Sequence, residues 1–414
     1  MTALHGALAP NGGVKLAHVA TVLNGGTPRA DDMNWNGDLP FVTPPDLRGL
    51  EGESILETSR SLTELGASSG STVADFGLAV SCRAPIGYVG RLSRRSAFNQ
   101  GCKAVVPSPE VDEKYLAYVL VAARPILEAL GRGTTFMEIS ASDLGSLLVP
   151  ATGQEEQRRI ADYLDRETAT IDALIEKQRA LISGLRERRS AAVEHAVSGF
   201  TTSADETFVE GPSWMGSIPS TWRTFPLWAM YRREKRTGFL EEPMVSVFRD
   251  FGVVFKADRA NLNETAEDRS IYQLVEPGWF VVNRMKAWQG SVGVSSIRGI
   301  SSGHYLCFRP LHGENHKFLN WLFRSPQYRH GFAMLSRGVR PGQAEIDNDQ
   351  LRKMPVVLPP LDEQREIADH LDRETAKIDA LIAKAERFIE LAQERRAALI
   401  TAAVTGQIEI PRED

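Results

Sequence analysis

The chain has 414 residues, 42% hydrophobic, 24% charged and 8% aromatic. That is globular composition, long enough for roughly two to four domains. With 48 Lys+Arg against 53 Asp+Glu the formal net charge is −5. A uniformly basic nucleic-acid coat is excluded, but a locally basic domain is not. Three cysteines, Cys82, Cys102 and Cys307, are too few for a disulfide framework and lack paired metal spacing. The first residues have neither the basic nor the apolar region of a signal peptide, and no run of about 18 apolar residues occurs. The expectation is a soluble, cytoplasmic protein.

In chain order, Val14–Leu23, Leu78–Val80 and Val105-Val106 read as strands bounded by turn residues. Tyr115–Leu130 reads as a helix interrupted at Arg124-Pro125, and a long helix is expected between Pro150 and Gly199. Val245–Phe248, Gly252–Phe255 and Trp279–Val282 read as strands, and Phe318–Leu335 as helix. A second long helix is expected between Pro359-Pro360 and Gly406. Trp214, Trp222, Trp228, Trp279, Trp288 and Trp321 crowd the segment before it and are expected mostly in a core.

The two long helices are copies of each other. EQRRIADYLDRETATIDALIEK at 156–177 returns as EQREIADHLDRETAKIDALIAK at 363–384, and the ungapped stretch from Glu156 to Gly199 keeps 26 identities in 44 positions. Ile160, Leu164, Ile171 and Leu174 in the first copy, and Ile367, Leu371, Ile378 and Leu381 in the second, fall at three- and four-residue steps. That is an apolar seam at coiled-coil spacing. The expected pairing is antiparallel and within one chain. The segments between them match only faintly, through Leu78–Gly90 against Phe280–Gly293 and Glu138-Ile139 against Glu345-Ile346. The expected fold is therefore α+β: two mixed α/β domains related by pseudo-twofold symmetry, joined by two long helices in an antiparallel coiled coil. The boundaries are 1–150, 151–200 for the central helix, 201–357, and 358–414 for the C-terminal helix.

Catalytic motifs are missing. There is no Gly-Lys pair for a phosphate loop and no G-x-G-x-x-G. Thr43-Pro44-Pro45-Asp46 is not the motif of an amino-methyltransferase, and Pro45-Asp46 lacks the downstream Glu-x-Lys of a metal nuclease. His312 and His316 stand four apart, but Gly313 argues for a loop and no acidic or cysteine partner converges. No metal ligand is assigned. Residues 201–357 carry a net charge of +4, so the second domain is the basic one. Arg83 and Arg284 follow equivalent strands, and Arg132 and Arg340 lie in Gly-bounded loops before the Glu-Ile pairs. Loops beside rigid strands carry recognition residues, and arginine suits guanine edges. These four, with Arg94, Arg95, Thr134, Lys286, Arg298 and Gln343, are the candidate DNA contacts.

The order domain, helix, domain, helix resembles the specificity subunit of type I restriction–modification systems. The Glu-Gln-Arg…Ile-Ala…Leu-Asp run at 156–175 and 363–382 carries the resemblance. Gly25-Gly26-Thr27-Pro28, Trp35-Asn36-Gly37-Asp38-Leu39-Pro40 and Ile218-Pro219-Ser220-Thr221-Trp222 look like openings of that family's target recognition domains. Val149–Gln154 departs from the compact Pro-Pro-Leu entry seen at 359–361. The resemblance implies a non-catalytic subunit whose two domains each read half of a bipartite, asymmetric site in double-stranded DNA. Its helices set the spacing and dock two methyltransferase subunits; motor–nuclease subunits join them. S-adenosylmethionine, ATP and Mg²⁺ would belong to those partners, and no membrane is involved. The competing expectations are a coiled-coil scaffold without a DNA role and a fused DNA-modifying enzyme.

Overall fold

Both repeated segments are helices in the computed structural model, Gln154–Val197 and Leu361–Val404, each 44 residues. The structure describes residues 8–10, 12–131, 138–199, 207–258, 269–338 and 344–411. Each helix is followed by a glycine in the left-handed region, Gly199 at φ +77° and Gly406 at φ +68°. After the second, the Gln407 amide donates to the Ala402 carbonyl at 2.8 Å, the 6→1 bond of a Schellman stop. The chain divides into two units, 1–178 with 387–414, and 179–386. Each unit thus holds part of both long helices.

Within the first unit Ile160, Ala161 and Leu164 share a core with Ile400, Ala403 and Val404, and Asp172 meets Arg396. Within the second, Val193, Ala196 and Val197 share a core with Ile367, Ala368 and Leu371. There Arg189 pairs with Asp379 and Arg186 with Glu386. In both, rising numbers on one helix meet falling numbers on the other, so the pairing is antiparallel. Ile160, Leu164, Ile171, Ile367, Leu371 and Ile378 are buried as expected. Leu174 and Leu381 are not: they are 42% and 51% exposed. A seam alternating three- and four-residue steps admits one of two adjacent apolar positions. In the first helix the buried Ile175 takes that place, which leaves Leu174 on the flank; Leu381 stands at the equivalent position before Ile382.

The first unit begins with Gly13–Lys15 paired to Leu148–Pro150. The expected strand Val14–Leu23 is broken by a helical turn, Leu16–Val19, which buries Leu16 before the strand resumes at Ala20–Asn24. A five-stranded sheet follows in the order Ala20–Asn24, Cys102–Pro107, Leu78–Ser81, Val89–Leu92, Glu51–Ile55. Its central strand Leu78–Ser81 is buried on both faces, which explains the unbroken apolar run. Helices Glu113–Ala122 and Arg124–Leu130 pack their apolar residues into the same core, divided at Ala123 just before Pro125. A smaller sheet, ordered Ser61–Leu62, Trp35–Val42, Ser96–Phe98, Thr72–Ala74, closes over Leu39, Phe41, Leu62 and Ala97.

The second unit repeats this plan. Arg223–Pro226 pairs with Pro355–Leu358, and a four-stranded sheet runs Tyr231–Arg233, Tyr305–Pro310, Phe280–Asn283, Val292–Val294. The expected single helix Phe318–Leu335 is two helices, His316–Arg324 and Pro326–Met334. Pro326 cannot continue the first, and the Ser325 hydroxyl accepts the Tyr328 amide to start the second. Phe280, Phe323, Tyr328 and Phe332 stack into the core, with Phe280 and Phe323 centroids 4.3 Å apart. Trp222 and Trp279 are buried and Trp214 and Trp321 pack against the core, whereas Trp228 is exposed. Among the described residues no helix is long and apolar enough to cross a membrane.

Candidate nucleic-acid interface

In both units the turn after a buried strand is tied to the Glu-Ile pair. The Ile139 amide donates to the Cys82 carbonyl and the Ile346 amide to the Arg284 carbonyl, both at 3.0 Å. Arg83 then donates to the Glu138 carboxylate at 2.9 and 2.8 Å, while Arg284 donates to Glu345, its Nε at 2.8 Å. Lys103, itself buried, lies 3.9 Å from Glu138. Each arginine fastens a turn to the carboxylate of the Glu-Ile pair, although the backbone tie falls one residue before the arginine in the first unit and on the arginine itself in the second. About two-fifths of each arginine side chain remains exposed, at 41% and 40%.

The other candidates divide. Arg95 is held by Glu64 and Asp75, and Arg298 bridges Glu242 and Glu276. These hydrogen-bonded carboxylates raise both guanidinium pKa values above the ordinary range. Arg94 and Lys286 are exposed, and among the described residues their side chains have no ion-pair partner. Arg132, Thr134, Arg340 and Gln343 lie outside the described residues.

Sequence reasoning found the strands Val245–Phe248 and Gly252–Phe255 but overlooked the turn between them. Phe248, Arg249, Asp250 and Phe251 face Trp288, Gln289 and Arg329 across an open cleft of about 600 Å³. The Arg249 Nε donates to Asp250 at 2.9 Å and holds that carboxyl below its usual range. Behind them burial, with Arg189 nearby, holds the Arg324 guanidinium down at about 10. The signal was available: two strands separated by Arg-Asp-Phe place an arginine at a hairpin tip. Aromatic faces beside guanidinium groups suit nucleic-acid surfaces.

Among the described residues no group of three His, Cys, Asp or Glu converges to hold a metal. Burial holds His312 down at about 4, with His316 adding to the effect, so both rings are neutral at pH 7. Burial also pushes the Cys82 thiol up to about 12 and Cys307 to about 11, and raises Cys102 as well. None of the three is a thiolate at neutral pH.

Comparison with known proteins gives a consistent answer. Residues 12–183 and 265–390 match the family described as type I restriction modification DNA specificity domain. The type I restriction enzyme MjaIX specificity subunit of Methanocaldococcus jannaschii is 29% identical over 213 residues, 50% of this chain and 48% of its own. The chain thus spans about half the length of that curated relative. A solved chain from work on complex assembly and conformational transition of the type I R-M system is 16% identical. It superposes with a TM-score of 0.63 over 95% of this chain and 97% of its own, a likeness of fold. The HsdS subunit from Thermoanaerobacter tengcongensis is 18% identical with a TM-score of 0.47, over 95% and 96% of the two chains.

Proposed function

The chain belongs to the type I restriction modification DNA specificity family, and from that premise we propose that it is the non-catalytic DNA-recognition subunit of a restriction–methylation complex. The domain at 1–150 reads one half of a bipartite target, and the domain at 201–357 reads the other. The observation that carries this reading is one framework used twice with different surfaces. Both units repeat the same strand pairings, the same proline-broken helix pair and the same arginine–glutamate tie. Among the described residues the four-stranded sheet around Phe41 belongs to the first, and the aromatic cleft described above to the second. Two unlike readers suit an asymmetric site, whereas identical readers would call for a palindrome.

The helices set the half-site separation and dock two methyltransferase subunits; motor–nuclease subunits complete the assembly. Support comes from apolar residues that the seam does not consume. Leu174 and Leu181 on the first helix, and Leu381 and Phe388 on the second, are each more than two-fifths exposed. They occupy equivalent positions of the repeat, so a second apolar stripe occurs twice, as two identical partners require. In this reading S-adenosylmethionine, ATP and Mg²⁺ belong to the partner subunits. The test is to co-express the chain with its methyltransferase and sequence the methylated motif. Exchanging residues 1–150 for another recognition domain changes one half of that motif only. A change in both halves, or no sequence preference at all, overturns the reading.

A further inference from the structure

Several arginines of the first domain are already engaged. Arg83, Arg95 and Arg124 donate to carboxylates, and the Arg91 Nε donates to the Gly52 carbonyl at 2.8 Å. Arg60 differs from these. It is exposed, and its guanidinium carbon lies 3.5 Å from the centroid of the Trp35 ring. Among the described residues its guanidinium has no carboxylate partner. At that distance the group must lie nearly flat on the indole, because a nitrogen turned inward would fall inside van der Waals contact. A flat guanidinium keeps its N–H donors in its own plane, around the rim of the stack.

The platform is rigid. Trp35 packs edge-on against Phe41, centroids 5.3 Å apart, and Phe41 is buried. The Phe41 amide donates to the Arg60 carbonyl at 3.0 Å, which fixes the backbone of the reader to that of its support. Between Trp35 and Leu39 the strand slips register against Leu62, a bulge formed by Asn36, Gly37 and Asp38. Asn36 is exposed and holds φ +62°; among the described residues it is the only one besides glycine with positive φ. Gly37 lies so close to Leu62 and Thr63 that a Cβ there would meet backbone atoms at 2.4 and 2.6 Å. Bulges and strained residues of this kind gather where a side chain is re-aimed for function.

Resting on the reading of this chain as a DNA-specificity subunit, we propose that Arg60, held flat by Trp35, reads a guanine edge in the half-site of the first domain. The acceptors are guanine O6 and N7, which a planar fork meets with two N–H donors. Stacking has already removed much of the side-chain freedom that a solvated arginine surrenders on binding. Trp35 is a positioning residue: it orders the donor and touches no base.

The experiment uses the chain assembled with its methyltransferase subunits, acting on duplexes randomised in each half-site. With Arg60→Ala, one guanine position of the first half is relaxed about 10- to 100-fold and the second half is unchanged. Arg60→Lys relaxes the same position, because it keeps the charge but loses the fork. Trp35→Leu relaxes that position to a smaller degree. Retained reading of the second half shows in each case that the complex is folded and assembled. An unchanged motif with Arg60→Ala overturns the proposal, as does an equal loss on all sequences with a shallower salt dependence, the mark of a phosphate contact. A wild-type complex without sequence preference would overturn the specificity reading, and this proposal with it.

Discussion

Arg189 and Arg396 occupy equivalent positions of the duplicated helix, and their aspartate partners, Asp379 and Asp172, are equivalent as well. Replacing each arginine with methionine tests how far burial decides what such a pair contributes. The Arg396 side chain is only 8% exposed and gathers three carboxylates: Asp172 at 3.0 Å, Glu53 at 3.2 Å and Glu51. Removing one partner of a buried ion pair costs about 3–5 kcal/mol. Here the orphaned carboxylates are a third to a half exposed and recover some hydration. The expected cost of Arg396→Met is therefore about 2–3 kcal/mol. Arg189 is 27% exposed, and its partner Asp379 is 53% exposed, so Arg189→Met costs about 1 kcal/mol or less. For a cooperative unit of this size, Arg396→Met then lowers the Tm by about 4–10 °C. Urea unfolding of the full chain gives the same comparison as a shift of midpoint at unchanged slope. Adding Glu53→Gln should return part of the loss. Equal costs for the two arginine variants would refute the argument from burial.

The seam and the flank of the long helices should separate cleanly. Ile171→Asp or Ile378→Asp puts an unpaired charge at a buried position and costs several kcal/mol by urea unfolding. Leu174→Glu with Leu381→Glu leaves the melt nearly unchanged but abolishes co-purification of the methyltransferase subunits; retained co-purification rejects the flank as their docking stripe. For His312, the folded-state value of about 4 lies below the unfolded value of about 6.5. Its contribution is fully present above about pH 6.5, falls as the unfolded chain takes up the proton, and levels off below about pH 4. Urea midpoints measured from pH 7.5 to 4.5 should therefore drop more steeply for the wild type than for His312→Phe; parallel slopes would remove His312 from the acid response.

The long helices were legible because periodicity, proline and glycine all spoke locally. Each element of the signal sits within a few turns of the residue it describes. Leu174 was misread because spacing alone does not choose between adjacent apolar residues; the partner helix makes that choice. The break at Ser325 was legible but passed over, since Pro326 stands in plain view. The candidate interface was less accessible. Arg83 and Arg284 could be found by their equivalence, but their carboxylates lie 55 and 61 residues away, beyond any local pattern. Arg60 on Trp35 needed the slipped register of two strands to bring them together.

Burial of Arg396 bears on the modularity of the two domains. Asp172 belongs to the repeated helix, but Glu51 and Glu53 come from the edge strand Glu51–Ile55 of the first domain. A domain from another chain will carry its own residues at that edge. If they are not acidic, Arg396 keeps Asp172 alone while losing the two carboxylates that offset its desolvation. Glu51 also holds Arg124 at 3.0 Å, so its replacement frees a second cation in the native domain. An exchange of residues 1–150 should therefore alter the half-site as designed and yet cost stability whenever the incoming edge is neutral or basic. Restoring glutamates at the two edge positions, or adding Arg396→Met to the exchanged chain, should recover most of that loss in a thermal melt. If chimeras with neutral edges melt with the parent, Arg396 does not couple the domain to its helices.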